Sequence, residues 1–307
     1  MARGLLAIRH IDPSEIKILL DQAADFKIKV ETEQPISLSK SKTVGLLFFE
    51  NSTRTRVSFE QAASYMGCRV VNFSGSGSSL SKGETLKDTL LTLRQERLDC
   101  VVMRHSASGA TQLAAQFFGG PVINAGDGEH EHPTQALADA LTIIQRKGKI
   151  EGLKVAIVGD VLHSRVARSN AWLLSKLGAE VRFVGPRTLM PGTTAKLPAQ
   201  VYYDLRKGIA GADVVMCLRL QKERMADGLV SSIREYASLY QINRSTLKAA
   251  HPEAIVMHPG PLNRGIELDD ATADGTASSI LDQVMNGIYV RMAAIQWVFE
   301  DMEAKLS

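Results

Sequence analysis

Seven consecutive residues, Glu50-Asn51-Ser52-Thr53-Arg54-Thr55-Arg56, follow an apolar run ending at Phe49 and precede the helix-like stretch Val57-Ser58-Phe59-Glu60-Gln61-Ala62-Ala63. A helix N-terminus presents unpaired backbone N–H groups and a partial positive charge, and here hydroxyls and a guanidinium are added at the same spot. That combination cradles a phosphate. The same residues also suit a Ser/Thr-capped helix with solvated arginines, and taken alone they leave both readings open. Other apolar runs end in a similar way. Met103 is followed by Arg104 and His105, and Ile123 by a Gly-rich loop leading to His130, His132, Thr134 and Gln135. Val158 leads into Gly159-Asp160 and then His163-Ser164-Arg165, Leu218 into Arg219 and Gln221, and Met257 into His258-Pro259-Gly260-Pro261. In open α/β sheets ligands bind just beyond the carboxyl ends of the strands, so these residues form one informative set. Glu50, Asp127, Glu129 and Asp160 lie near the same ends, yet the excess of Arg and His favours a small ligand carrying several negative charges.

Several chemistries are absent from the motifs. There is no Walker pattern, and Gly159-Asp160-Val161-Leu162-His163-Ser164 lacks the second and third glycines of a dinucleotide fingerprint. His130-Glu131-His132 would point alternate side chains the same way, but no third ligand stands at a plausible spacing, so no metal and no other cofactor is expected. His132, beside Pro133-Thr134-Gln135, reads instead as the entry to a helix, with its imidazole on a carbonyl oxygen and His130 as a structural histidine. No Gly-x-Ser-x-Gly elbow occurs, and Cys68, Cys100 and Cys217 are widely spaced and read as reduced, mostly buried thiols rather than nucleophiles. Direct group transfer is the expectation.

The elements that must position these residues follow from composition and periodicity. A chain of 307 residues has room for one large or two medium domains, and 45% hydrophobic with 22% charged residues is an ordinary folded composition. The net charge of +3 is too mild for a nucleic-acid or membrane footprint. Val44 to Phe49, Cys100 to Met103, Val122 to Ile123, Val155 to Val158, Val181 to Val184, Val214 to Leu218 and Ile255 to Met257 are Val/Ile-rich and lack period-two polarity. Strands buried on both faces of a parallel sheet look like this, so the class is α/β. Asp12-Pro13-Ser14-Glu15 predicts a helix start, with Ile16, Leu19, Leu20 and Ala23 on one face. A helical pattern from Thr134 to Lys147 and a new strand after Glu151-Gly152 predict a domain change near residue 150. From Ser279 to Lys305, Ile280, Val284, Ile288, Met292, Ile295 and Phe299 recur at helical spacing. Ser74 to Gly83 is Gly/Ser-rich and reads as a loop. No signal-type or membrane-spanning run occurs, which with the cysteine usage predicts a cytoplasmic protein.

Six motifs in order, Ser52-Thr53-Arg54-Thr55-Arg56, Ser81-Lys82-Gly83-Glu84-Thr85, Met103-Arg104-His105, His132-Pro133-Thr134-Gln135, Leu218-Arg219-Leu220-Gln221-Lys222-Glu223-Arg224 and His258-Pro259-Gly260-Pro261, resemble the carbamoyltransferases. The resemblance runs from about residue 5 to residue 300 and is closest to the catalytic chains of the aspartate branch. It implies two α/β lobes, each a mainly parallel sheet flanked by helices, with the active site in the cleft between them. Residues 1–133 would form the carbamoyl-phosphate lobe, 134–149 a linking helix and 150–287 the aspartate lobe, with a terminal helix over 288–307 packing back on the first lobe. The activity implied is transfer of the carbamoyl group of carbamoyl phosphate to the amine of L-aspartate, in de novo pyrimidine biosynthesis.

By the same resemblance Ser52, Thr53, Arg54 and Thr55 would hold the phosphate, while Thr55, Arg104 and His132 contact the carbonyl oxygen. Gln135 and the backbone carbonyls of Pro259 and Gly260 would receive the carbamoyl amide, and Arg165, Arg219 and Gln221 the two carboxylates of aspartate. Family members are catalytic homotrimers with shared sites, so Ser78 and Lys82 would reach in from the adjacent subunit. A regulatory chain or a dihydroorotase is the further partner that the resemblance leaves open. In the ornithine branch the strand end near residue 218 carries an Asp and then Ser-Met-Gly, and the later motif is His-Cys-Leu-Pro; this chain has Arg219, Gln221 and Pro259 at those places. Cations suit a dicarboxylate and repel the side-chain ammonium of ornithine. Gly260 and Leu262 depart from some aspartate relatives. A carbamoyltransferase-like chain that binds or assembles without turnover is the alternative from another class, and every motif position here carries a competent residue.

Overall fold

The structure is a computed structural model and describes residues 4–38, 40–74, 83–190, 192, 196–221, 229 and 232–304. Contacts divide the chain into two units, Met1–Ala138 with Val284–Ser307, and Asp139–Gln283.

In the first unit, Pro13 opens α1 (Pro13–Glu31) and the Glu15 carboxylate accepts the Asp12 N–H at 3.4 Å. The helix buries Ile16, Leu19, Leu20 and Ala23 as its periodicity predicts, and Phe26 in addition. Strands β1 (Thr43–Phe48), β2 (Arg69–Ser74), β3 (Cys100–His105) and β4 (Val122–Asp127) form a parallel sheet in the order β2-β1-β3-β4. Helices α2 (Thr53–Tyr65), α3 (Leu86–Gln95) and α4 (Ala110–Phe118) make the crossovers, and α5 (Pro133–Lys147) leaves the last strand. Val44 to Phe48 are buried throughout. Leu90 and Leu93 of α3 and Ala114 and Phe118 of α4 pack with Leu47, Val101 and Met103 of the sheet. Fully burying one such large side chain contributes about 1.5–3 kcal/mol, so a few of them fix the sheet against its helices.

The second unit repeats the plan. Strands β5 (Lys154–Val158), β6 (Glu180–Val184), β7 (Gln200–Tyr202), β8 (Val214–Cys217) and β9 (Ile255–Met257) run parallel in the order β7-β6-β5-β8-β9. Helices α6 (Arg165–Lys176), α7 (Leu205–Gly208), α8 (Ile233–Tyr240) and α9 (Arg244–Leu247) lie between them, and α10 (Asp270–Ala273) follows the last strand. Val158, Val184, Val215, Val256, Ile209 and Tyr236 share its core.

Helix α11 (Ile280–Ala304) departs from the one-sided stripe that its sequence predicts. Val284 is 44% exposed, whereas Tyr289, Val290, Ala293, Ala294, Trp297 and Val298 join Met292, Ile295 and Phe299 in the interior. From Val284 onward the helix groups with the first unit. Two strands, β2 and β7, are absent from the set of apolar runs; both lie at sheet edges. No helix among the described residues is long and apolar enough to cross a membrane.

Candidate active site

In each sheet the strand order reverses at one point, and that point places the polar strand ends. The chain moves from β1 outward to β2, then returns past β1 to β3 and β4; in the other unit it moves from β5 to β6 and β7, then returns to β8 and β9. The residues following β1 and β3, and those following β5 and β8, therefore stand at switch points, where crevices open beyond the carboxyl edge.

At the first switch point Ser52 is the N-cap of α2, in extended conformation, and makes no side-chain cap bond. The Ser/Thr-capped alternative is thus not what the fold adopts: the hydroxyl is not committed to the helix, whose first N–H groups have no intrahelical acceptor. Thr53 and Arg54 are exposed, Ser52 is half-buried and Thr55 is buried. The register pairs Phe48 with Arg104, and Phe49 N–H donates to the Arg104 carbonyl at 2.9 Å, so β3 delivers Arg104 alongside the Ser52 turn. Arg104 Nη1 donates to the Ala125 carbonyl at 3.2 Å, and its Nε lies 3.5 Å from a Glu50 carboxylate oxygen. Beside it, burial pushes the His105 imidazole below its ordinary pKa.

Beyond β4 a tight loop delivers His132 and Gln135. Asp127, fully buried, accepts from Asn124 Nδ2 at 2.7 Å, Gly109 N–H at 2.9 Å and His130 at 3.1 Å. Burial works against its charge, but these donors prevail and hold the carboxyl below the usual range. The hydrogen bond to Asp127 in turn raises the His130 pKa. Glu131 accepts the Ile8 N–H at 2.7 Å and the Arg9 N–H at 3.3 Å. His130 and Glu131 therefore have structural partners, and no group of three or more metal-ligating side chains is present among the described residues. His132 is buried, and its carbonyl accepts the N–H groups of Gln135 and Ala136 at the start of α5.

In the second unit, Gly159 takes φ +126° at the end of β5, where an added Cβ would stand 3.0 Å from both the Leu218 carbonyl oxygen and the Tyr236 hydroxyl. The buried Asp160 that follows accepts from His163 Nδ1 at 2.9 Å and from Gln221 N–H at 3.3 Å. Burial raises its pKa against those bonds. Ser164 caps α6 by accepting the Ala167 N–H at 3.1 Å, which sets Arg165, itself buried, as the first helical residue. Gln221 Nε2 donates to the His163 carbonyl at 2.9 Å, so the turns after β5 and β8 are bonded to each other. Arg219 is half-buried between Leu218 and Leu220, both interior. Gly260 takes φ +64°, a left-handed backbone that accounts for glycine at this place in the His258 turn.

The named residues thus fall into two sets: Ser52, Thr53, Arg54, Thr55, Arg104, His132 and Gln135 on the first unit, and Arg165, Arg219, Gln221, Pro259 and Gly260 on the second. Ser78 and Lys82 lie outside the described residues. Sequence reading missed the residues that hold the turns, notably Asn124, Asp139, Glu267 and Gln283. The thiols are free, Cys100 and Cys217 being buried and Cys68 half-buried; burial pushes Cys68 up to about 11 and the other two further.

Two parallel α/β units thus each carry polar, Arg-bearing segments after the strands at their switch points. Residues 3–145 match the aspartate/ornithine carbamoyltransferase carbamoyl-P binding domain, and residues 151–298 the Asp/Orn binding domain. The chain belongs to the aspartate/ornithine carbamoyltransferase family. It is 53% identical over 293 residues to an aspartate carbamoyltransferase catalytic subunit of Granulibacter bethesdensis, covering 95% of this chain and 93% of the relative. Aspartate transcarbamoylase from Trypanosoma cruzi in complex with carbamoyl phosphate and aspartate superposes with TM-score 0.86 at 31% identity, covering 96% of each chain. Ornithine carbamoyltransferase from Pyrococcus furiosus does so with the same TM-score at 30% identity and the same coverage. Fold likeness alone therefore does not separate the two substrate branches.

Proposed function

We propose that this chain is an aspartate carbamoyltransferase: the amine of L-aspartate attacks the carbonyl carbon of carbamoyl phosphate, the new C–N bond forms, and the bond from that carbon to the phosphate oxygen breaks. The products are N-carbamoyl-L-aspartate and phosphate. The observation that carries the reading is the Ser52-led start of α2, its hydroxyl making no cap bond, at the end of the strand whose last residue, Phe48, the β1–β3 register pairs with Arg104.

Attack by a neutral amine pushes charge first onto the carbonyl oxygen and then onto the departing phosphate. Fixed donors at both places lower the barrier with no protein nucleophile. Thr55, Arg104 and His132 serve the carbonyl oxygen; Ser52, Thr53, Arg54 and Thr55 serve the phosphate. Gln135 and the Pro259 and Gly260 carbonyls take the amide hydrogens, and the departing phosphate takes the proton lost by the amine. Arg165, Arg219 and Gln221 hold the aspartate carboxylates. Arg219 and Gln221 favour aspartate over ornithine, because a desolvated ammonium beside a guanidinium costs several kcal/mol by order of magnitude. Ser78 and Lys82 come from a neighbouring subunit of a cytoplasmic homotrimer. Supplying carbamoyl phosphate with aspartate or with ornithine, and identifying the product by mass, tests the assignment. N-carbamoyl-L-aspartate is expected, and citrulline as the main product refutes it.

A further inference from the structure

The turn after β9 is held by a chain of buried polar groups that none of the roles above explains. His258, Glu267, Gln283 and Asp139 are 1%, 2%, 3% and 0% exposed, so each needs a partner inside the protein. Asp139 accepts from Gln283 Nε2 at 2.8 Å and from Asn170 Nδ2 at 2.7 Å. The Gln283 carbonyl oxygen accepts the His258 N–H at 2.9 Å. His258 Nδ1 accepts the Gly260 N–H at 2.8 Å, and its Nε2 faces a Glu267 oxygen at 3.3 Å that also accepts the Asn263 N–H at 2.7 Å.

Two consequences follow from covalent geometry. A nitrogen that accepts a backbone N–H carries no proton, so the imidazole hydrogen sits on Nε2 and is donated to Glu267. The Gly260 N–H belongs to the same planar unit as the Pro259 carbonyl, and in a trans peptide the two point in opposite directions. Fixing the N–H on the ring therefore fixes the direction of the carbonyl oxygen.

Resting on the proposed activity, we infer that His258 is a positioning residue: its Nδ1 holds the Gly260 N–H and so aims the Pro259 carbonyl at the carbamoyl amide, while Gln283, Asp139 and Glu267 fix the ring. The relay distinguishes an amide from a methyl group at that end of the substrate. A methyl group offers no hydrogen for the carbonyl and leaves it desolvated and unpaired.

The test compares carbamoyl phosphate with acetyl phosphate, which keeps the carbonyl and phosphate but replaces the amide with a methyl group, and with inorganic phosphate. Wild type is expected to bind carbamoyl phosphate about five- to tenfold more tightly than acetyl phosphate, the worth of about one hydrogen bond. His258→Gln reaches toward Glu267 but places no acceptor at Nδ1, and it is expected to lose most of that preference. His258→Asn puts a carbonyl oxygen near the Nδ1 place and accepts the N–H two residues on, as asparagine does in turns, so it keeps the preference. Inorganic phosphate binds all three proteins alike. A Gln variant that retains the preference, or an Asn variant that loses it as fully, overturns the inference. Should the Gln variant not fold, the 15N–1H spectrum of labelled histidine in wild type decides: a hydrogen on Nε2 alone supports it, and a hydrogen on Nδ1 overturns it. A wild-type chain that makes no N-carbamoyl-L-aspartate refutes the activity itself, whereas an active wild type with unaltered variants refutes the positioning role alone.

Discussion

Replacing Arg104 with alanine removes a donor proposed to serve the carbonyl oxygen, and its catalytic cost separates from its structural one. The contacts of the guanidinium include a hydrogen bond to the Ala125 carbonyl at 3.2 Å and a loose ion pair with Glu50 at 3.5 Å. The Glu50 side chain is 24% exposed, so water can solvate it once the pair is gone. A pair of this kind is worth up to about 1 kcal/mol, and the carbonyl bond about as much again. Loss of one donor to a developing oxyanion instead costs about a hundred- to a thousandfold in turnover, or about 2.7–4 kcal/mol. Kinetics should therefore fall much further than stability. Arg104→Lys restores the charge on a compact ammonium that lacks the planar fork of the guanidinium, so it should fall between the two. The assay is steady-state formation of N-carbamoyl-L-aspartate, with the thermal midpoint of each variant as the folding control. A loss concentrated in kcat marks an interaction made in the transition state. A folded Arg104→Ala chain with turnover within about threefold of wild type refutes the oxyanion role.

Arg54→Ala and Lys82→Ala chains, each nearly inactive alone, should regain activity when mixed if sites are shared across subunits; complete failure despite verified subunit exchange argues for self-contained sites. The raised His130 pKa means that its pairing with Asp127 contributes full stability below the ordinary histidine value of 6.5 and loses it as pH rises through the folded value, whereas the depressed Asp127 value confines the acid-side loss to below its ordinary 3.8. His130→Gln should therefore lower the thermal midpoint most in mildly acid solution and progressively less toward alkaline pH, and a pH-independent difference refutes the pairing. Gly159→Ala should destabilise by about 1–3 kcal/mol, because φ +126° is strained for alanine and the new Cβ meets the Leu218 carbonyl and the Tyr236 hydroxyl at 3.0 Å; an unchanged denaturation midpoint counts against that geometry.

The interior strands were legible because each is covered on both faces, which selects Val, Ile and Leu without alternation; the elements beginning at Thr43, Cys100, Lys154 and Val214 all show it. Strand β2 escaped because it lies at an edge. Arg69, Val71 and Asn72 are exposed there, so its pattern is neither a buried run nor a clean alternation. The three residues of β7, at the other sheet's edge, carry still less signal. The stripe expected on α11 holds at Ile280, Met292, Ile295 and Phe299 but understates the burial, for the opposite reason. Its second half is buried nearly all round, and helical periodicity reports a one-sided environment only.

The candidate site divides along a different line. Most residues proposed to touch ligand lie in the polar segments that follow apolar runs, a local contrast that any reader of the chain can see. The residues that hold those turns are paired across the sequence instead: Glu131 with the Ile8 N–H across 123 positions, and Gln283 with Asp139 across 144. No period or short motif encodes such a distance, and glutamine or glutamate on a helix or loop reads as solvated until its partner is known. Asp139 carries a local hint all the same. It stands in Ala136-Leu137-Ala138-Asp139-Ala140-Leu141, and all six residues are buried. A carboxylate on an apolar helical face must find donors inside the protein or forfeit its charge, because the cost of leaving it unpaired exceeds what its neighbours gain by burial. The donors here include Gln283 and Asn170, and through Gln283 the demand passes to the backbone of His258. The buried carboxyl group is thus legible as a requirement for an internal network, while the identity of the turn it braces becomes visible only in the fold.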